Sequence, residues 1–258
     1  MKHYDIGIIG GGISGIMATY ELVKHKPELE VCIFEKGNCI ANRRCPLTEN
    51  KTEKCLNCPS CAIMEGFGGC GSFSDGKYNF TTEFGGWLPE YIPSEKVMEL
   101  IEYMDKILVE FGATTRRYST QTPKARELKK IALQNDLHLL QAEVKHLGTE
   151  NNLKIMTNIY NYLKDKADIR HNTEIIDIAY SDGKYVLSTA KEEFSCDYLI
   201  SAVGRVGSEW FSEQCKKLKI NLTNNQIDLG VRVELPYEIF SHITDEVYEA
   251  KLHYHTKK

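Results

Sequence analysis

Apolar and polar positions change their period several times along the chain, and each change marks an element. Asp5-Ile6-Gly7-Ile8-Ile9 is a short apolar run of the buried-strand type. After a glycine cluster, Ile13, Ile16, Met17, Tyr20 and Val23 share one helical face, and Lys24 to Pro27 supply the stop. Glu30 to Glu35 reads as a second strand. Ser94 then opens a helix carrying Val97, Leu100, Ile101, Met104, Ile107, Leu108 and Phe111, ended by Gly112. Pro123 to Lys130 begins another helix, and Asn152 to Ala167 predicts a third, with Leu153, Met156, Ile159, Tyr160 and Leu163 on one side. Such stripes are core faces, and they predict a mainly helical insertion over 88–164.

From Asp168 the period shortens to two. Ile169–His171, Glu174–Tyr180, Tyr185–Thr189 and Phe194–Cys196 read as strands, with Asp182-Gly183 as a hairpin turn. Asp197 to Gly204 reads as one more buried strand, ending on glycine. Asp228 to Glu234 and the stretch from Leu252 to Lys258 are strand-like as well. His253 and His255 share a face of the latter, but two imidazoles without a third partner are a weak ligand set.

The glycines between the first strand and helix form Gly-x-Gly-x-x-Gly at Gly10, Gly12 and Gly15. In a strand–turn–helix unit the first permits the turn, the second lets a pyrophosphate approach the backbone, and the third lets helix and strand pack closely. The free N–H groups and dipole of the helix N-terminus favour an anion there, with Ser14 in the first turn. Glu35 follows Gly15 by 20 residues, the spacing at which a carboxylate accepts from a ribose hydroxyl. Its charge repels a 2′-phosphate, although Arg43 and Arg44, just beyond, keep that option open. The alternative is a glycine turn of some other βαβ unit with no ligand.

Composition adds bounds rather than identity. With 26% charged and 42% hydrophobic residues in 258, the chain is an ordinary globular one, long enough for a sizeable core. A net charge of -4 gives no reason to expect nucleic acid or an anionic membrane as partner, and no apolar run is long enough to span a bilayer. No signal peptide precedes the first strand, so the expected location is the cytoplasm. Nine cysteines there are not a disulfide framework. Cys55-x-x-Cys58-x-x-Cys61 presents three thiols from one turn, and Cys45 or Cys70 can close a fourth position, a donor set for an iron-sulfur cluster or zinc. The competing readings are a dithiol exchanging electrons with a nearby cofactor, and plain structural thiols. Cys32 and Cys196 lie in strand-like runs and read as buried small hydrophobes.

Gly66 to Lys77 holds five glycines in twelve positions, with Phe67 and Phe73 interleaved. Glycine at this density lets backbone N–H groups approach a flat or anionic ligand, so Gly69, Gly71 and Ser74 read as lining a ligand. The alternative is a mobile surface loop.

The glycine motif, Glu35, the meander and Ala202-Val203-Gly204-Arg205 resemble the FAD-binding fold of the two-dinucleotide-binding flavoproteins. Cys45 to Cys61, Gly68 to Lys77 and Asp228 to Glu234 resemble, more narrowly, a family of bacterial FAD-dependent dehydrogenases. The resemblance implies an α/β protein with a Rossmann-like FAD/NAD(P)-binding fold, a β-meander crossover, the helical insertion and an incomplete substrate domain. Residues 1–87 and 165–208 would bind FAD, with the cysteine-rich loop at 45–70, and 209–258 would begin the substrate domain. It also implies the pyrophosphate at Gly10 to Gly15, the adenosine ribose on Glu35 with Lys36 and Arg44 nearby, the adenine along Ile175, and Gly204 and Arg205 returning near the phosphates. The loop from Gly68 to Lys77 would border the flavin ring, and Asp75 and Lys77 are the acid–base candidates. Arg232 is a candidate to pin a substrate carboxylate. Cys45, Cys55, Cys58 and Cys61 are the metal candidates.

The implied function is an oxidoreductase passing hydride or electrons from a small-molecule substrate to FAD. Flavoproteins of this kind close the site with a C-terminal Gly-Asp segment that this sequence lacks. The expectation from another class is therefore a non-catalytic nucleotide-binding fragment, or one subunit of a pair whose second chain supplies that part.

Overall fold

The computed structural model describes residues 1–258 except 120, 141, 225–228, 232, 248, 249, 257 and 258. In chain order the elements begin β1 (Lys2–Ile9), α1 (Ile13–His25), β2 (Val31–Phe34), β3 (Lys77–Phe80), α2 (Ser94–Glu110), β4 (Tyr118–Ser119), α3 (Pro123–Gln134), β5 (Leu137–Leu139) and β6 (Glu143–His146). They continue with α4 (Thr149–Leu163), β7 (Asp168–Arg170), β8 (Asp177–Ser181), β9 (Lys184–Ser188), β10 (Glu193–Ser201), α5 (Ser208–Lys217), α6 (Tyr237–Thr244) and β11 (Leu252–Tyr254). The chain forms two compact units, residues 1–74 with 152–225 and residues 75–151 with 226–258.

The first unit is built on a six-stranded sheet in the order β7-β2-β1-β10-β9-β8. The first four strands of that order run parallel, and β9 and β8 turn back antiparallel as a meander. Parallel strands buried on both faces read as unbroken apolar runs, and β2 is buried at all four positions. The rings of Tyr4, Phe34 and Phe194 meet across the sheet, with Phe34 and Phe194 at 4.9 Å between centroids. Cys32, Leu187 and Cys196 fill the space around them. The hairpin turn lies at Asp182 and Gly183, both at positive φ, as a two-residue turn of this hand requires. One expectation is corrected: Phe194–Cys196 and the stretch from Asp197 are a single strand, β10. β1 pairs with it from Lys2↔Phe194 to Ile9↔Ser201, so the polar Asp197 does not interrupt the ladder.

The second unit holds a three-stranded sheet, β3-β6-β4, and a two-stranded ribbon of β11 with β5. The segment expected as insertion and the segment expected to begin a substrate domain thus fold together. The unit boundaries fall at 74/75 and 151/152, where the sequence pattern placed them at 87/88 and 164/165. The shift arises because Lys77–Phe80 pairs with Glu143–His146, a non-local contact. Leu229 to Val231 and Val233 to Leu235 form no strand. Asp228 and Arg232 lie outside the described residues. No helix among the described residues is long and apolar enough to cross a membrane.

Candidate dinucleotide-binding site

The site grows from the junction of β1 and α1. Gly10 N donates to Phe34 O at 2.9 Å and Ala202 N to Ile9 O at 2.8 Å, so the carboxyl ends of β2, β1 and β10 are tied to one turn. At Gly15 a Cβ would lie 2.0 Å from Gly10 O, which only glycine avoids. α1 starts with no side-chain cap and no acidic residue in its first turn, leaving its N–H groups without partners from capping side chains. A Cβ at Gly12 would face open space, with nothing within 4 Å. An uncapped, glycine-opened helix N-terminus with room in front of it can hold an anion.

Glu35 stands beside it, 6% exposed. Its Oε2 accepts from Gly11 N at 2.6 Å, and its Oε1 from Gly37 N at 2.8 Å and Gly66 N at 2.9 Å. Three backbone donors fix this carboxylate among about four lone-pair sites, leaving one acceptor position on Oε2. The residues present therefore fit a dinucleotide, with phosphates on the helix and a ribose hydroxyl on the acid.

Residues 8–43 match the family model described as NAD(P)-binding Rossmann-like domain. The first unit is thus Rossmann-like in fold. The L-2-hydroxyglutarate dehydrogenase of Dictyostelium discoideum is 50% identical over 38 residues, 15% of this chain and 8% of that protein. That of Nematostella vectensis is 46% identical over 35 residues, 14% of this chain and 8% of that protein. Among solved structures, glycine oxidase from Geobacillus kaustophilus is similar in fold, with a TM-score of 0.50 at 16% identity, covering 86% of this chain and 60% of that one. The chain thus spans less than two thirds of that structure and a small fraction of the curated relatives it matches.

The other expected residues of the Rossmann-like domain fall at varied distances from this centre. Ser14 is exposed in the first turn of α1. Gly69 comes close to the turn, since a Cβ on it would lie 3.2 Å from Gly12 Cα. Gly71 and Ser74 continue the same wall, where Asn152 Nδ2 donates to Gly71 O at 2.5 Å and Ser74 Oγ to Gly71 O at 2.7 Å. Lys36 pairs with Glu174 at 3.2 Å and Glu65 at 3.6 Å, and Arg44 is an exposed side chain 3.8 Å from Glu49. Ile175 turns its side chain into the core with Tyr4, Phe34 and Phe194, so only its backbone is available to a ligand. Gly204 and Arg205 form the exposed turn after β10. Asp75 and Lys77 belong to the second unit, where Asp75 Oδ2 lies 3.6 Å from His146 Nδ1.

The expected metal set is not assembled. Cys55 and Cys58 are exposed and Cys45 and Cys61 half-buried. Among the described residues no three His, Cys, Asp or Glu side chains gather where they could hold a metal ion. The Cys55–Cys61 run is irregular chain whose thiols are not drawn to one point. Cys32 and Cys196 are buried as expected, and burial pushes their thiols up to about 12 and about 11, so they are inert at neutral pH.

The structure changes the reading of Arg43 and brings out His171, which the sequence reading missed. Arg43 is buried and donates only to carbonyls of its own unit, which removes it as a reader of a 2′-phosphate. His171, just after β7, packs its ring against Phe67 and Tyr160, and among the described residues neither ring nitrogen has a hydrogen-bond partner.

Proposed function

We propose that the chain is the cofactor-binding part of an FAD-dependent oxidoreductase that passes hydride or electrons from a small-molecule substrate. The observation that carries this reading is the uncapped N-terminus of α1 opening at Gly12 beside the backbone-locked carboxylate of Glu35. The named activities of the relatives, L-2-hydroxyglutarate dehydrogenase and glycine oxidase, support the oxidoreductase class. FAD, when bound, supplies the two-electron redox chemistry. The N–H groups of Ile13, Ser14 and Gly15 hold its pyrophosphate, and the remaining acceptor position of Glu35 takes a ribose hydroxyl. Gly69, Gly71 and Ser74 form the wall on that side. The Ile175 backbone passes the adenine, with Lys36 beside it, and Gly204 and Arg205 complete the phosphate side. Asp75, whose Oδ2 lies 3.6 Å from His146 Nδ1, and Lys77 are the acid–base candidates of the second unit. The reading places the protein in the reducing cytoplasm.

A second reading, a nucleotide-binding chain that works only with a partner subunit, is favoured by the exposed apolar positions Leu229 and Val231, at 90% and 88%. One preparation decides between them. The purified chain should carry heat-releasable flavin, or take up added FAD in a 1:1 ratio, while light scattering reports its mass. A monomer that neither carries nor takes up flavin contradicts the first reading, and flavin uptake only on adding a second chain establishes the other.

A further inference from the structure

Resting on the dinucleotide reading, we infer that Arg43 is a positioning residue that builds the second wall of the site before any ligand arrives. Its side chain is 4% exposed. Nε donates to Ala62 O at 2.9 Å, Nη2 to Ile63 O at 2.8 Å, and Nη1 to Phe67 O and Gly69 O, both at 2.8 Å, with a longer contact to Gly66 O at 3.5 Å. The guanidinium also lies 4.7 Å from the centre of the Phe73 ring. All of these acceptors are backbone carbonyls of 62–69, a stretch of turns without regular secondary structure. Without Arg43 the carbonyl of the buried Phe67 would lose this donor, at the cost of an unmade hydrogen bond, whereas Gly66 O keeps Gly69 N at 2.8 Å.

The segment so gathered is docked on the nucleotide turn. Gly68 N donates to Gly11 O at 2.7 Å and Gly66 N to Glu35 Oε1 at 2.9 Å, which sets Gly69 against Gly12. A Cβ at Gly66 would lie 2.6 Å from Arg43 Cδ, so the chain passes as close to the arginine as glycine allows. Lysine cannot replace this fork, because an ammonium is one point charge with three donors and no plane to stack. Arg43 thus connects the end of the cysteine-rich segment to the anion site without touching the ligand.

Arg43→Lys tests this with two readouts, FAD affinity and the rate at which trypsin cuts the ligand-free protein at Lys51 and Lys54. Loss of one or more charge-assisted hydrogen bonds predicts about 10-fold or more weaker FAD binding and about 10-fold or more faster cutting, while circular dichroism stays that of the wild type. Unchanged cutting overturns the inference whatever FAD does, and faster cutting with unchanged FAD affinity overturns the role in the site. If the wild type itself binds no FAD, the flavin reading fails and the cutting rates alone decide the role of Arg43. If Arg43→Lys does not fold, Phe73→Leu, which removes only the stacked ring, should move both quantities about threefold; no movement in either overturns the inference.

Discussion

Burial holds the His171 imidazole below its ordinary range, with the nearby Glu35 carboxylate pulling the other way and the Tyr160 and Phe67 rings packed against it. As pH falls, the unfolded chain takes up this proton first. The stability contributed by neutral His171 is therefore complete above the ordinary value of about 6.5 and is lost as pH falls through the lower folded value. Thermal melts should show Tm decreasing from about pH 7 to about pH 5, with a shallower slope in His171→Phe. Equal slopes in the two proteins would contradict this account. His171 and Arg43 were not legible in the sequence because what they do depends on partners brought by folding, aromatic rings in one case and backbone carbonyls in the other. Glu35 and the three motif glycines were legible because the turn, the helix start and the strand end all lie within one local unit. The spacing of Glu35 did not reveal that three backbone N–H groups already hold it.

Among the elements, the α2–β6 contact of the second unit is the most exposed to a single change. Lys145 on β6 is fully buried, and its Nζ pairs with Asp105 on α2. Arg117 donates to the same Asp105 at 2.8 Å and to Glu102 at 2.6 Å, and it stacks 3.6 Å from the Phe80 ring centre. Removing one member strands a buried charge. Asp105→Ala should cost about 3–5 kcal/mol in a denaturant melt, and replacing both residues with apolar ones, Asp105→Leu with Lys145→Met, should recover most of it. A loss below about 1 kcal/mol for Asp105→Ala would show the pair to be solvated. The helices Ser94–Glu110 and Thr149–Leu163 were legible because their stripes repeat over several turns, although Leu100 of the first stripe is exposed and the second helix starts three residues before Asn152 and ends four before Ala167; Pro123–Gln134 was legible from its start alone. The short strands β3 and β4 were not. Each has two to four residues, too few for a period to stand out, and each exists only because β6 pairs with it.

For the whole molecule, the parallel sheet and its meander were readable from the order of elements, since few chain paths leave a parallel sheet by helices and return by antiparallel strands. The grouping of 75–151 with 226–258 was not, because it rests on contacts such as Lys124 with Glu246 that join distant segments. The donor set expected from the cysteine spacing is not gathered among the described residues, for a related reason: spacing counts donors, while convergence is a property of the fold. The central claim is that α1 and Glu35 hold the adenosine-diphosphate half of FAD. It is tested most directly by titrating the purified, flavin-stripped chain with FAD, ADP and FMN, alongside Gly12→Asp. Gly12 has an ordinary negative φ and open space at its Cβ, so the variant should fold while placing a carboxylate where the phosphate charge belongs. The account predicts that FAD and ADP bind the wild type, that FMN, which lacks the adenosine, does not, and that Gly12→Asp loses about 10-fold or more in affinity for both, a change of about 1.4 kcal/mol or more. FMN binding as tightly as FAD, or Gly12→Asp binding FAD as the wild type does, would contradict it.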